Sequence, residues 1–414
     1  MANGELFADF DRTQRSDGAP PQVVELANGE LFADVDRTQR SDGAPPQVAA
    51  LANSELLRAL MESGAASFAM PGHKRNTALL GTALPYAIDI TEIAGFDNLQ
   101  NPQGLLRDVM QRAQTLWGSD GAYISVNGAT GAILAGVRAM TNPGDTVLVA
   151  RNCHMSVFHA IELCGLQAVL LEPEWLPKWG MYGAVAQNTI DQAVAQHAHA
   201  SLCVITSPTY EGVISDVHTN IPLLIDAAHG AHLDLPDADL IVHSLHKTLP
   251  ALTQTAMLHV RGNRVNCEKL EHNLRIFQSS SPSYVLMASI AECIALLERN
   301  REAWFAQWHA RLDQFYAHAK AWQNIELFQP CDRSKLLIRC AAEQAASCLR
   351  QRGIEPEYAH QCRLLLFSSP CDTDDMMMRL AQALDELDHC ALHITHCALE
   401  KPPLGELSNG WKWG

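Results

Sequence analysis

A chain of 414 residues that is 47% hydrophobic carries enough apolar material for one large domain with a smaller one beside it, and no apolar run approaches the roughly 18 residues that a membrane-spanning helix needs. The formal charge of −16 argues against nucleic-acid binding, which calls for clustered Lys and Arg; it reads as a solubility device with a mild pull on cations. Twelve cysteines without CxxC pairs, among them Cys164, Cys203 and Cys293 in apolar surroundings, read as reduced thiols of a cytoplasmic protein.

In chain order, the N-terminus lacks a basic stretch followed by an apolar core, so no secretory signal is expected. Residues 2–26 recur almost unchanged at 27–51. Each copy holds Ser-Asp-Gly-Ala-Pro-Pro, a loop-forming string with little to bury, so 1–51 reads as a dispensable duplicated segment rather than a solenoid; a short docking helix per copy is the alternative. Leu56, Leu57, Leu60 and Met61 then fall at helical spacing after Ser54, an N-cap residue. Short apolar runs follow at Ala122–Val126, Thr146–Ala150, Ala168–Glu172, Leu202–Thr206, Pro222–Asp226, Leu240–His243 and Ala256–Val260. Alternating with helical stretches, they predict a mainly parallel sheet covered on both faces. A helical zone from Pro282 to about Lys320 leads to a smaller α+β region with strands at Asn324–Phe328, Lys335–Cys340 and Arg363–Phe367 and helices at Glu343–Arg352 and Asp374–Leu387. Residues 400–414 show no periodicity.

Polar residues cluster just after the strand ends, where open α/β sheets bind ligands. One apolar strand ends in Asp226. Another is followed by His243-Ser244-Leu245-His246-Lys247-Thr248. A lysine amine to form a Schiff base, a carboxylate to keep a pyridine nitrogen protonated and short polar groups around a phosphate are the needs of a pyridoxal-phosphate site. Lys247 alone would more simply be a solvated lysine; the constellation would not. Asn127-Gly128-Ala129-Thr130 at a strand-to-helix turn suits a phosphate, although such turns also merely cap helices, and His154 by itself reads as a capping or core histidine. The pairs His229-x-x-His232 and His243-x-x-His246 with Asp226 resemble a metal site, but that reading leaves Lys247 and Gly128 to Thr130 without a use, so no metal is expected.

Met70-Pro71-Gly72-His73-Lys74, Asp89-Ile-Thr91-Glu92, Val126-Asn127-Gly128-Ala129-Thr130, Arg151-Asn152-Cys153-His154, Thr206-Ser207-Pro208-Thr209-Tyr210, Asp226-Ala-Ala-His229, Ser244-Leu-His246-Lys247 and Leu249-Pro250-Ala251-Leu252-Thr253-Gln254 occur in this order. Together they resemble the major domain of the Orn/Lys/Arg decarboxylase family, densely from about Ser67 to Tyr284 and more loosely to about Leu387. The resemblance implies an α/β fold of the aspartate-aminotransferase type: a pyridoxal-phosphate-binding large domain over 52–300 with a mainly parallel seven-stranded sheet, a small α+β domain over 301–399, and a tail. It implies that Lys247 carries the cofactor, Asp226 pairs with the pyridine nitrogen and His154 stacks on the ring. His229 would pack beside the ring and help to orient Asp226, and Thr209 would lie near the ring face or its 3-hydroxyl. Gly128, Ala129, Thr130, Ser244 and His246 would hold the phosphate, joined by Ser280 or Ser281 from the other subunit of a homodimer.

The implied reaction is decarboxylation of lysine, arginine or ornithine to the amine, of the kind used in polyamine biosynthesis, with Lys247 or His154 returning a proton to Cα. Another reaction of the same cofactor, transamination or carbon–carbon lysis, and a non-catalytic regulatory relative are the alternatives. Ala227, Gln100 and Ala291 depart from the family pattern, as does the absence of a Pro-Pro-Gly-Ile-Pro segment near the end; these departures are expected mainly in the substrate shell.

Overall fold

The computed structural model describes residues 52–63, 70–71 and 73–389; the duplicated segment 1–51, the tail 400–414 and the expectations attached to them lie outside those residues. Ser54 Oγ accepts from Leu57 N (3.2 Å) and starts α1 (Glu55–Glu62), whose Leu56 and Leu60 are buried. All seven predicted strands of the large sheet form, with ends shifted by at most one residue: β1 (Gly121–Ser125), β2 (Thr146–Ala150) and β3 (Gln167–Leu171), then, after the two-residue hairpin arms β4 (Trp175–Leu176) and β5 (Met181–Tyr182), β6 (Leu202–Thr206), β7 (Leu223–Asp226), β8 (Leu240–Ser244) and β9 (Ala256–Val260). Val126, expected in β1, leaves the ladder because its N–H is taken by the Gln278 side chain and its carbonyl by that of Gln254.

The strand order is β1-β9-β8-β7-β6-β2-β3. Strands β3, β2, β6, β7 and β8 are parallel, and β9 runs antiparallel to both β8 and β1, so β1 again points with the parallel five. Every residue of β2, β6, β7, β8 and β9 is buried, as expected of a sheet covered on both faces. Helices α2 (Leu105–Trp117), α3 (Gly128–Met140), α4 (Met155–Cys164), α5 (Gln187–Gln196) and α6 (Cys267–Phe277) accompany it. Because the parallel strands share a direction, Ala150, Thr206, Asp226 and Ser244 all end at one edge.

Helix α7 (Tyr284–Ala319), 36 residues long and so about 54 Å, joins this body to a four-stranded antiparallel sheet of β10 (Glu326–Leu327), β11 (Lys335–Arg339), β12 (Tyr358–His360) and β13 (Arg363–Phe367), in the order β10-β11-β13-β12. Helix α8 (Ala342–Gln351) packs on β12 and β13, and α9 (Asp374–His389) packs against α7 and α8. One apolar cluster runs from Leu56 and Ile124 through Met287, Ile294 and Trp308 of α7 to Leu336, Leu364 and Leu380. Strand β10 is shorter than the predicted Asn324–Phe328 because the Asp388 carboxylate takes the N–H groups of Gln323, Asn324 and Ile325 before a partner strand can.

Candidate active site

The strand edge opens into a cavity of about 680 Å³, within the range of small-ligand sites. On one side lies the start of α3. Gly128 turns the chain at φ +70 and gives its N–H to Gln254 O (3.0 Å), while Ser125 Oγ donates to Gly128 O (2.8 Å). No side chain among the described residues caps α3, so the N–H groups of Ala129 and Thr130, both cavity-lining, have no acceptor within the helix.

His154 caps α4: its Nδ1 accepts from Ser156 N (3.2 Å) and meets Ser156 Oγ at 2.8 Å. Only Nε2 is left for the cavity that the residue lines. Burial lowers its proton affinity, partly offset by Asp226.

Asp226, at the end of β7, is 2% exposed, and its Oδ1 accepts from Ala228 N (3.1 Å). Burial raises its pKa, against the opposing pull of Lys247 and His154. A buried carboxylate with a single backbone donor is under-solvated and favours a cationic partner. Lys247 sits in the single helical turn Leu245–Thr248 directly after β8, a turn pinned by Thr255 O, which accepts from Leu245 N (3.1 Å) and faces His246 Nδ1 (3.1 Å). Its Nζ lies 2.9 Å from His229 Nε2. Burial lowers the proton affinity of Lys247 and pushes that of His229 far down, so the pair is most stable with a neutral imidazole.

His229 thus contacts Lys247, not Asp226 as expected. The reason is the turn after β7: Gly230 N bonds Ala227 O (2.8 Å), and a Cβ at Gly230 would stand 2.7 Å from Pro208 Cδ, so the chain folds tightly against Pro208 and carries the imidazole to the lysine. Tyr210 and Phe367 meet that ring edge-on at 4.8 and 5.6 Å between centroids.

Gly128, Ala129, Thr130, His154, Thr209, Asp226, His229, Ser244, His246 and Lys247 all line the one cavity. Thr209 does so with its hydroxyl already accepting from Val213 N (3.2 Å). Ser280 and Ser281 are exposed and do not line it; their segment is tied behind the α3 turn by Ser279 N to Asn127 Oδ1 (3.4 Å). The histidine pairs diverge: His232 meets Asp332 (3.0 Å) and His243 is buried beside Trp117 and His259, while His229 and His246 face the cavity. Ala227, Gln100 and Ala291 are likewise absent from its lining, contrary to the expected substrate shell. Ala227 follows Asp226 and alternates into the core beneath the sheet, Ala291 is buried in α7, and Gln100 bonds Ser279 O (3.1 Å).

The cavity also draws on residues that the sequence did not single out. Trp175, Met181 and Tyr182 of the hairpin flank it, and Tyr358, His360, Gln361 and Arg363 reach in from the small sheet. Glu211 and Arg363 approach to 4.0 Å, and Tyr210 Oη donates to Glu357.

A family model described as Orn/Lys/Arg decarboxylase, major domain, matches residues 54–337. The chain belongs to that family. Among its relatives, the uncharacterized protein YaaO of Bacillus subtilis is 38% identical over 248 residues, covering 54% of this chain and 52% of that protein. An arginine decarboxylase of Bacillus cereus is 28% identical over 363 residues, 77% of this chain and 78% of the relative. The fold of the lysine decarboxylase LdcF of Francisella novicida superposes with a TM-score of 0.70 at 20% identity, over 81% of this chain and 60% of that one. The chain therefore spans about half of YaaO and three fifths of the LdcF chain. Among the described residues no helix is long and apolar enough to cross a membrane.

Proposed function

We propose that this chain binds pyridoxal 5'-phosphate on Lys247 and decarboxylates a basic amino acid, lysine, arginine or ornithine, to the corresponding amine. The observation that carries the reading is the convergence of the Lys247 amine, the buried Asp226 carboxylate and the uncapped start of α3 on one cavity. The residues fit the cofactor: among the described residues Asn152 Oδ1 and His229 Nδ1 are buried at the cavity without partners, and the Asp226 carboxylate has a single hydrogen-bond donor. Bound there, the cofactor supplies an electron sink for the pair left behind when carbon dioxide departs.

In this reading the N–H groups of Ala129 and Thr130, with Ser244 and His246, hold the phosphate, and Asp226 keeps the pyridine nitrogen protonated by a charge-assisted bond. Lys247, whose proton affinity burial lowers and whose amine His229 orients, is the nucleophile. His154 Nε2 and the Lys247 amine are the groups that return a proton to Cα. Ser280 and Ser281 complete the phosphate site of a second subunit; their exposure beside the anchored α3 turn supports this, and it makes the enzyme a homodimer. We place the chain in the cytoplasm, where thiols such as the buried Cys153, Cys203 and Cys293 stay reduced.

Borohydride reduction followed by peptide mapping, with carbon dioxide and amine measured for lysine, arginine, ornithine and neutral amino acids, tests the assignment. A pyridoxyl group on Lys247 and release of both products from a basic substrate are expected. A modified lysine elsewhere, or keto acid in place of amine, would overturn it.

A further inference from the structure

Beneath the cavity, Lys335 at the start of β11 is completely buried, and nothing in the proposed chemistry uses it. Its Nζ donates to His229 O (3.3 Å) and Ser334 Oγ (2.9 Å), meets Asp332 Oδ2 at 3.3 Å and lies 4.7 Å from the centre of the Phe367 ring. Asp332 in turn holds His232 Nε2 at 3.0 Å and accepts from Ser334 N (3.0 Å). The carboxylate is stabilised in its charged form by these donors and by Lys335 in spite of burial. A fully buried ammonium is costly, so a chain that merely needed to fill this space would hold an apolar residue there.

The cation's reach ends at the residue whose imidazole touches Lys247. His229 is fixed at its carbonyl by Lys335, at the next residue by the contact of Gly230 with Pro208, and at its ring by Tyr210 and Phe367. Phe367 and Lys335 face each other across the β11–β13 pair, so the small sheet supplies both the cation and one of the rings. The approach is possible because Gly212, at φ +88, has no Cβ; one would stand 2.7 Å from Asp332 O and 2.9 Å from Lys335 Cγ.

We propose that Lys335 is a positioning residue: through its hydrogen bond to the His229 carbonyl, with Asp332 holding it in place, the small sheet sets the imidazole that orients the Lys247 amine. The inference rests on Lys247 being the reactive amine. Lys335 touches neither the amine nor the cavity, and its hydrogen bond reaches the site through His229. A shift of the imidazole would misalign the amine while leaving the rest of the cavity lining in place, so kcat falls while KM nearly holds. Misplacement of about 1 Å typically costs on the order of 10²-fold in rate.

The test compares Lys335→Met, which removes the donor and the charge, with Lys335→Gln, which keeps an N–H donor without the charge, both as cofactor-loaded full chains. A Lys335→Met/Asp332→Asn double variant keeps the test open if the single Met variant fails to fold. Measured alongside kcat and KM are the visible absorbance of the bound cofactor as a function of pH and the fraction of pyridoxyl group fixed on Lys247 by borohydride. Expected are a fall of roughly 10- to 100-fold in kcat for Met, with KM nearly unchanged and a displaced absorbance midpoint, and partial recovery of both by Gln. Wild-type kcat and midpoint in a folded Met or double variant would overturn the proposal, and so would a folded Gln variant as impaired as Met. Absence of the pyridoxyl group from Lys247 in the wild-type protein would instead overturn the reading beneath it.

Discussion

His259 on β9 gives the sharpest test of how this core handles charge. The residue is fully buried; its Nδ1 meets Ser119 Oγ at 3.3 Å, its Nε2 has no partner among the described residues, and the rings of Trp117 and His243 stand 5.2 and 5.0 Å away. Burial alone pushes its pKa down to about 3 from the ordinary 6.5. In the folded state the imidazole therefore stays neutral where the unfolded chain takes up a proton, so its contribution is complete above about pH 6.5 and is lost progressively as pH falls towards 3. The linkage relation gives a loss of about 2 kcal/mol between pH 8 and pH 5 and about 4 kcal/mol by pH 3. His259→Asn keeps a polar partner for Ser119 and removes the titration. Whatever it costs at pH 8 through lost volume, its stability should fall by about 2 kcal/mol less than that of the wild type on going from pH 8 to pH 5. Urea unfolding at the two pH values and constant ionic strength measures this. Equal losses in the two proteins would refute the assignment of a neutral, solvent-excluded imidazole.

Asp226→Asn should leave the cofactor attached to Lys247 and lower kcat by orders of magnitude, since losing a buried charge partner costs several kcal/mol; single-turnover measurements with the preferred substrate check it, and near-normal turnover counts against the role. Gly212→Ala should lower the melting temperature by at least about 1 °C, because a φ of +88 and a Cβ 2.7 Å from Asp332 O both oppose it, at a cost of at least about 1 kcal/mol; calorimetry reads it, and an unchanged Tm would contradict it. Mixing inactive Lys247→Ala with a Ser280/Ser281 double alanine should restore part of the activity, because one site of each heterodimer is then built from unmutated halves; no recovery, or a fully active monomer in sedimentation, rejects the shared site.

The seven sheet strands, the Ser54 cap and the extent of the long helix were legible in the sequence, because each follows from a local signal: continuous apolar runs for strands buried on both faces, a capping side chain, helical spacing. Asp226, Lys247 and Gly128 to Thr130 were legible for a related reason, since a polar residue directly after a buried strand has few places to go but the sheet edge. Helix α2 was not read, because its start is capped from a distance: the Asp97 carboxylate accepts from Gly104 N (2.7 Å) and Leu106 N (3.1 Å). Nor were Tyr358, His360 and Gln361, from a three-residue strand and the turn after it, or the place in the cavity of Arg363 at the head of the predicted strand β13, which have meaning only once β12 pairs with β13. The contact of His229 with Lys247 was beyond local pattern altogether. It depends on Gly230 fitting against Pro208 and on Lys335 arriving from β11, 106 residues further along the chain. Sequence determined which groups stand at the strand ends. Close packing between segments distant in the chain decided which of them touch.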